Sequence, residues 1–121
     1  MLLSLTTQER ELGITVIGVA GRIMLGVARG QIEDAVLAAL NRGVRKIVVD
    51  LRQVSYIDST GVGIIAYCFG KASQAGARFN AAAGAGRVMD VFRIARLDQV
   101  IGIFPDVDSA CAAFAGAMAT T

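Results

Sequence analysis

The sequence predicts an α/β fold, with a mixed, mostly parallel sheet of about five strands and about four helices. Three observations carry that expectation. Strand-like β-branched runs alternate with runs of helical periodicity along most of the chain. The alternation begins with two strand-like runs around a polar turn, which points to an antiparallel pair at the start. The run VRKIVVDL is short, apolar and β-branched, like a strand buried on both faces of a parallel sheet.

Each element has its own signal. In LLSLTTQERELGITVIGVAGRI, Gly13 and its charged neighbours mark the turn, and Ile14, Val16 and Ile17 favour an extended chain. GVARGQIEDAVLAALNRG places Ile32, Ala35, Val36, Ala39 and Leu40 at helical spacing, with Gly43 as the stop. After VRKIVVDL comes a polar loop, then a helix over residues 60–75. Its stripe is Ile64, Ile65, Cys68, Phe69 and Ala72, and Gly76 closes it. ARFNAAAGA predicts a strand, with Ala81 to Gly86 as its end and a tight turn. GRVMDVFRIARL brings Val88, Val91, Phe92 and Ala95 to one helical face, and QVIGIF predicts the last strand. Asp106 is a candidate N-cap for a terminal helix that buries Ala110, Ala113, Phe114 and Ala117.

Composition narrows the function. The chain has 121 residues, 55% of them apolar and 18% charged, which suits a packed core and a single domain over 1–121. The net charge is +2 and the cations are scattered, so no basic stripe argues for nucleic acid. With no histidine, Ser–His triads and histidine metal ligands are excluded. Cys68 and Cys111 lie far apart in apolar surroundings and read as buried, reduced thiols, with neither a disulfide nor a metal site expected. MLLSLTTQER lacks the basic region of a signal peptide, and no apolar run is long enough to span a bilayer. The expectation is a cytoplasmic protein with no membrane partner.

The stretch VSYIDSTGVG concentrates an acid, two hydroxyls and two glycines between apolar segments. Asp58 or Ser59 can cap the following helix, and a structural reading needs nothing more. A functional reading starts from the same geometry. A helix N-terminus tolerates an anion, so a phosphate on Ser59 would add charge to an exposed corner without melting the helix. Enzymatic readings fare worse. Asp58 as a phosphoryl acceptor lacks the cluster of acids that would hold Mg²⁺. The loop lacks the spacing and lysine of a P-loop, and GAGRV does not complete a dinucleotide fingerprint. No catalytic residue, cofactor or metal is expected.

With these residues in view, IVVDLRQVSYIDSTGVGII resembles the core signature of STAS domains, specifically the bacterial anti-sigma factor antagonists. GVAGRI resembles the family's second strand and its glycine. VMDVFRIARLDQVIGIFPDVDSACAAF is similar to the later pattern of helix, strand ending in phenylalanine and acid-led terminal helix. The resemblance covers nearly the whole chain and implies a STAS-like fold. It also implies a cycle. The antagonist binds an anti-sigma factor that is itself a serine kinase, and so frees the sigma factor. The kinase phosphorylates the serine after the aspartate, here Ser59, which ends binding, and a PP2C-type phosphatase reverses it. Asp58 would position the loop, and Thr60, Gly61, Val62 and Gly63 would begin the docking helix. The family's small antagonists imply a monomer, while an apolar patch would support a weak dimer.

One departure bears on partner identity. Many antagonists carry an acid after the glycine that ends the second strand. Here the residues are Gly21, Arg22 and Ile23, followed by MLG where an aspartate is common. Gly21 and Arg22 are possible partner contacts. Arg22 reads as a partner for phosphoserine or, more plainly, as a solvated strand end. The alternative function is a STAS scaffold subunit of a transport or signalling complex, with no phosphorylation switch. Val62, Ala66, Tyr67 and Gly70 fall outside the buried stripe of their helix, so exposure there would make an apolar docking patch, and Tyr67 counts with the docking residues.

Overall fold

Strand β3 (Lys46–Ile57) has apolar neighbours on both sides, which places it at the centre of the structure. Ile47, Val49 and Leu51 turn to one face of the sheet and Val48 to the other, and all four are buried. The computed structural model describes residues 3–23, 28–84 and 86–119, without the side chains of residues 28, 29 and 116–119.

Around β3 lie β1 (Ser4–Arg10), β2 (Ile14–Ile23), β4 (Arg78–Ala82) and β5 (Gly102–Phe104), in the sheet order β1-β2-β3-β4-β5. β1 and β2 are antiparallel, with Arg10 opposite Ile14, and the other pairs are parallel. Four helices complete the fold: α1 (Ala28–Asn41), α2 (Ser59–Gln74), α3 (Arg87–Ile94) and α4 (Val107–Ala119). The fold class and its mixed five-stranded sheet are as the sequence predicts.

The sheet separates two cores. On one face, Ile32 and Val36 of α1, Ile64, Ile65 and Cys68 of α2, and Val88 and Phe92 of α3 pack on the strands. On the other, Val107, Ala110 and Phe114 of α4 pack on Ile14, Val16, Val48 and Ala82. Hydrogen bonds fix α4 in place: Asn80 Nδ2 donates to the Ala110 carbonyl at 2.9 Å, and Arg78 donates to that of Phe114 at 3.2 Å. Asp106 caps this helix, its carboxylate accepting from the Ser109 N–H at 2.7 Å. That bond holds the Asp106 carboxyl below its usual range.

The two glycine stops do what their positions predict. Gly43 and Gly76 have φ of +92° and +77°, and each sits in a turn that returns two N–H groups to the last helical carbonyls. Elsewhere the boundaries move. β3 runs on to Ile57, so Val54 to Ile57 belong to the strand and only Asp58 separates it from α2. The extension is possible because β2 is long enough to pair with it, with register shifts at Gly18/Ala20 and Gly21/Arg22.

At the other end of the chain the expected elements are shorter. α3 stops at Ile94, which leaves Ala95 exposed beyond its end and outside the buried stripe. Gln99 and Val100 lie before the last strand, which has three residues. Ala113, Phe69 and Cys111 are half-buried where the sequence predicts burial: Phe69 packs on the outside of one core, edge-on against Phe79 at 6.1 Å, and Cys111 packs against the other while lining a surface hollow. Ala85 and the side chain of Ala117 lie outside the described residues, and no described helix is long and apolar enough to cross a membrane.

The thiols therefore differ. Burial pushes the Cys68 thiol up to about 12, while Cys111 is raised less and is partly open. Alkylation of the native protein at mildly basic pH should label Cys111 first, with Cys68 labelled only in denaturant. Peptide mapping of the labelled protein reads both sites, and equal labelling would place Cys68 wrongly in the core.

Candidate functional site

Asp58 makes the turn from strand to helix. Its backbone is extended, its side-chain Oδ1 accepts from the Gly61 N–H at 2.9 Å, and its carbonyl accepts from the Val62 N–H at 3.0 Å. Of the two candidate caps, Asp58 is therefore the one used. Ser59 becomes the first residue of α2 and is exposed. The first N–H groups of a helix have no intrahelical acceptor, so the Ser59 hydroxyl stands beside free donors and the positive end of the helix dipole.

The next residues divide into anchors and surface. Gly61 and Val62 are buried, whereas Gly63 is exposed and Thr60 half-buried. A Cβ on Gly61 would lie 2.6 Å from the Ile57 side chain, 2.8 Å from that of Ile23 and 2.9 Å from the Ile23 carbonyl. Only a bare Cα fits there. Nothing lies within 4 Å of a Cβ on Gly63. Gly61 and Val62 thus serve positioning from within the core, and the surface is carried by Ser59, Thr60, Gly63 and Tyr67.

Parallel pairing brings the end of β2 to the same place. Gly21 and Arg22 align with Val54 and Tyr56, and Ile23 aligns with Ile57. The Ser55 hydroxyl donates to the Gly21 carbonyl at 3.3 Å. The Arg22 guanidinium lies 4.8 Å from the centre of the Tyr56 ring, a cation–π contact. Arg22 is exposed, one strand away from the start of α2. The segment Met24 to Gly26, where the family pattern has its aspartate, lies outside the described residues.

Of the four residues off the helix stripe, Val62 is buried, Ala66 and Gly70 are half-buried, and Tyr67 is exposed. The expected patch shrinks to Tyr67 and its surroundings. Lys71 sits one turn on, its ammonium 5.5 Å from the Tyr67 ring. Thr60, Gly63, Ile64 and Tyr67 line a cleft of about 340 Å³ against Glu33 of α1. Glu33 belongs to no motif in the sequence. Its only signal there is its place beside Ile32, at the border of the α1 stripe, and the packing of α1 on α2 decides the rest.

The arrangement offers an exposed hydroxyl at the start of α2, a cleft lined by Thr60 and Gly63 of the same turn and by Tyr67, and Arg22 at the end of the adjoining β2. Among the described residues, no group of three or more His, Cys, Asp or Glu could hold a metal ion.

The STAS domain family model matches residues 6–110. No curated protein matches the chain in sequence. Several solved structures share its fold. An anti-sigma factor antagonist from Mycobacterium paratuberculosis is 23% identical, with a TM-score of 0.82 over 92% of each chain. The Bacillus cell fate determinant SpoIIAA in its phosphorylated form is 19% identical, with a TM-score of 0.64 over 83% of this chain and 90% of that one. In its unphosphorylated form, described as an anti-sigma factor antagonist, SpoIIAA gives 17% and 0.69 over 93% and 97%. A sulfate transporter family protein from Wolinella succinogenes is 17% identical, with a TM-score of 0.70 over 94% and 93%.

Gly61→Ala should destabilise the protein by about 1–3 kcal/mol, since the added carbon meets backbone as well as side chains. Gly63→Ala, in open space on a helix, should stabilise it by about 0.5–1 kcal/mol. Urea unfolding of the pair checks both signs. Asp58→Ala should cost about 1 kcal/mol through the lost cap, and Asp58→Asn, which can still accept the bond, should recover most of it.

Proposed function

The chain belongs to the STAS domain family, and on that footing we propose that it is an anti-sigma factor antagonist switched by phosphorylation of Ser59. The observation that carries this reading is the exposed Ser59 hydroxyl at the first position of α2, set by the Asp58 cap. Two proteins of similar fold are anti-sigma factor antagonists, and one of them exists in phosphorylated and unphosphorylated forms.

In this reading the partner is an anti-sigma factor serine kinase. The unmodified start of α2 docks on the kinase, with Tyr67 and the cleft beside it in contact, and the sigma factor is released. The kinase then transfers the γ-phosphoryl group of ATP. The Ser59 oxygen bonds to phosphorus, the bond to ADP breaks, and the hydroxyl proton passes to a base of the kinase. The phosphate brings about −2 charge and a hydration shell to the contact surface. The helix tolerates it, because the dipole and the free N–H groups favour an anion there, but the interface does not. A PP2C-type phosphatase restores the serine by hydrolysis. The chain is the substrate and the switch in this cytoplasmic cycle, with no catalysis of its own.

A second reading keeps the fold and drops the switch. The transporter-family structure of similar fold supports it, as does the sufficiency of the Asp58 cap as a local explanation of the loop. The chain would then be a scaffold subunit with a constant partner.

Capture from native lysate separates the two. The unmodified chain and Ser59→Ala should retain a histidine-kinase-like ATPase, and Ser59→Glu should retain at least about tenfold less. With ATP added, the captured kinase should phosphorylate the wild type and leave Ser59→Ala unmodified. Equal capture of one partner by all three forms would sink the switch and favour the scaffold.

A further inference from the structure

Leu12 occupies a position that the fold itself disfavours. It lies in the loop between β1 and β2 with φ of 64° and ψ of 27°, the left-handed region. A leucine there is strained, and glycine would relieve the strain. Its side chain is 74% exposed, so burial offers no compensation within the chain. A strained residue presenting a large apolar group to solvent raises the question of what it contacts.

The surroundings suggest an answer. Leu12 stands on the rim of two hollows and fills neither. One, of about 450 Å³, is lined by Ile14, Cys111, Ala112 and Ala115 together with the charged Glu9, Arg10 and Glu11. The other, of about 380 Å³, is bordered by Gly13, Val44, Arg45 and Lys46. Charge at this tip is of both signs. Arg42 pairs with Glu9 and Arg10 with Asp108, but among the described residues Glu11, Arg45 and Lys46 have no ion-pair partner. Lys46 donates to the Leu12 carbonyl at 3.3 Å, and Arg45 to the carbonyls of Leu40 and Val44, so both cations are held at the tip.

One surface thus carries an apolar knob, a hollow with apolar and charged residues in its lining, and an acid and two bases without an ion-pair partner among the described residues. That combination is complementary to itself. We propose that the β1–β2 tip is the contact through which two copies of this chain form a two-fold dimer. Leu12 of each copy enters the hollow beside Ile14 and Cys111 of the other, and Glu11 of each faces the other's Arg45 and Lys46. The contact is small, so the dimer is weak and depends on concentration. It leaves Ser59 free: Lys46 and Ile57 mark opposite ends of β3, whose 12 residues span roughly 36 Å. The dimer does not depend on the proposed switch.

Sedimentation equilibrium of the full chain, from low micromolar to near-millimolar concentration, tests it. The wild type should pass from monomer toward dimer. Leu12→Gly should weaken association at least about tenfold, while its thermal midpoint is unchanged or higher, since glycine suits the backbone there. Glu11→Lys should also dissociate the dimer, and mixing it with Arg45→Glu/Lys46→Glu should restore a heterodimer. A wild type that stays monomeric throughout overturns the proposal, as does a Leu12→Gly variant that associates like the wild type. So does a monomer that binds phosphatidylserine vesicles through Leu12, because the occupant of the tip is then a lipid surface.

Discussion

The bare Cα of Gly61 rests against Ile23 and Ile57, closer than any side chain would allow. That contact joins three elements at one point: the end of β2, the end of β3 and the first turn of α2. It requires β2 and β3 to stay paired to their last residues, and the register shifts along β2 let them do so. It also sets how near α2 starts to the sheet, and so where Ser59 stands. A looser junction would leave the serine on a flexible loop, where a phosphate would change little beyond local charge.

From this junction follows a division of labour along six residues. Asp58 satisfies the Gly61 N–H, Gly61 and Val62 hold the helix to the sheet, and Ser59 and Gly63 face outward. The cap and the close approach reinforce each other, since both fix the same turn of α2. A rigid corner of this kind suits a surface that must be read by another protein, because little conformational entropy remains to be lost on contact. It also confines the effect of a modification to the surface. A phosphate on the first helical residue meets favourable backbone donors, so its consequences fall on the interface rather than on the fold.

The two ends of β3 have different characters. At the Ile57 end the chain is tight and locally relaxed, with an aspartate cap and a glycine where each is needed. At the Lys46 end, the β1–β2 loop holds a leucine in a strained conformation, with Lys46 donating to its carbonyl. The sheet keeps these regions apart, so a contact at one end need not obstruct the other. Between them each face of the sheet carries its own core, built on Ile47, Val49 and Leu51 on one side and on Val48 on the other.

The sequence by itself determined the alternation of elements, the antiparallel start, the glycine stops and the Asp58–Gly63 motif. Those signals are local: side-chain period, β-branching and turn chemistry act over a few residues and survive without knowledge of neighbours. The tertiary structure decided what depends on partners across the fold. The run Val54 to Ile57 reads as a loop because its polar residues break the apolar pattern, yet it is strand because β2 lies beside it. Val62 reads as a surface residue by helical period and is buried because the first turn of α2 is pressed onto the sheet. Glu33 enters the cleft only through the packing of α1 on α2, and Leu12 shows its strain only once the hairpin is closed. Burial and close approach are properties of pairs of segments far apart in the chain, and no local pattern encodes them.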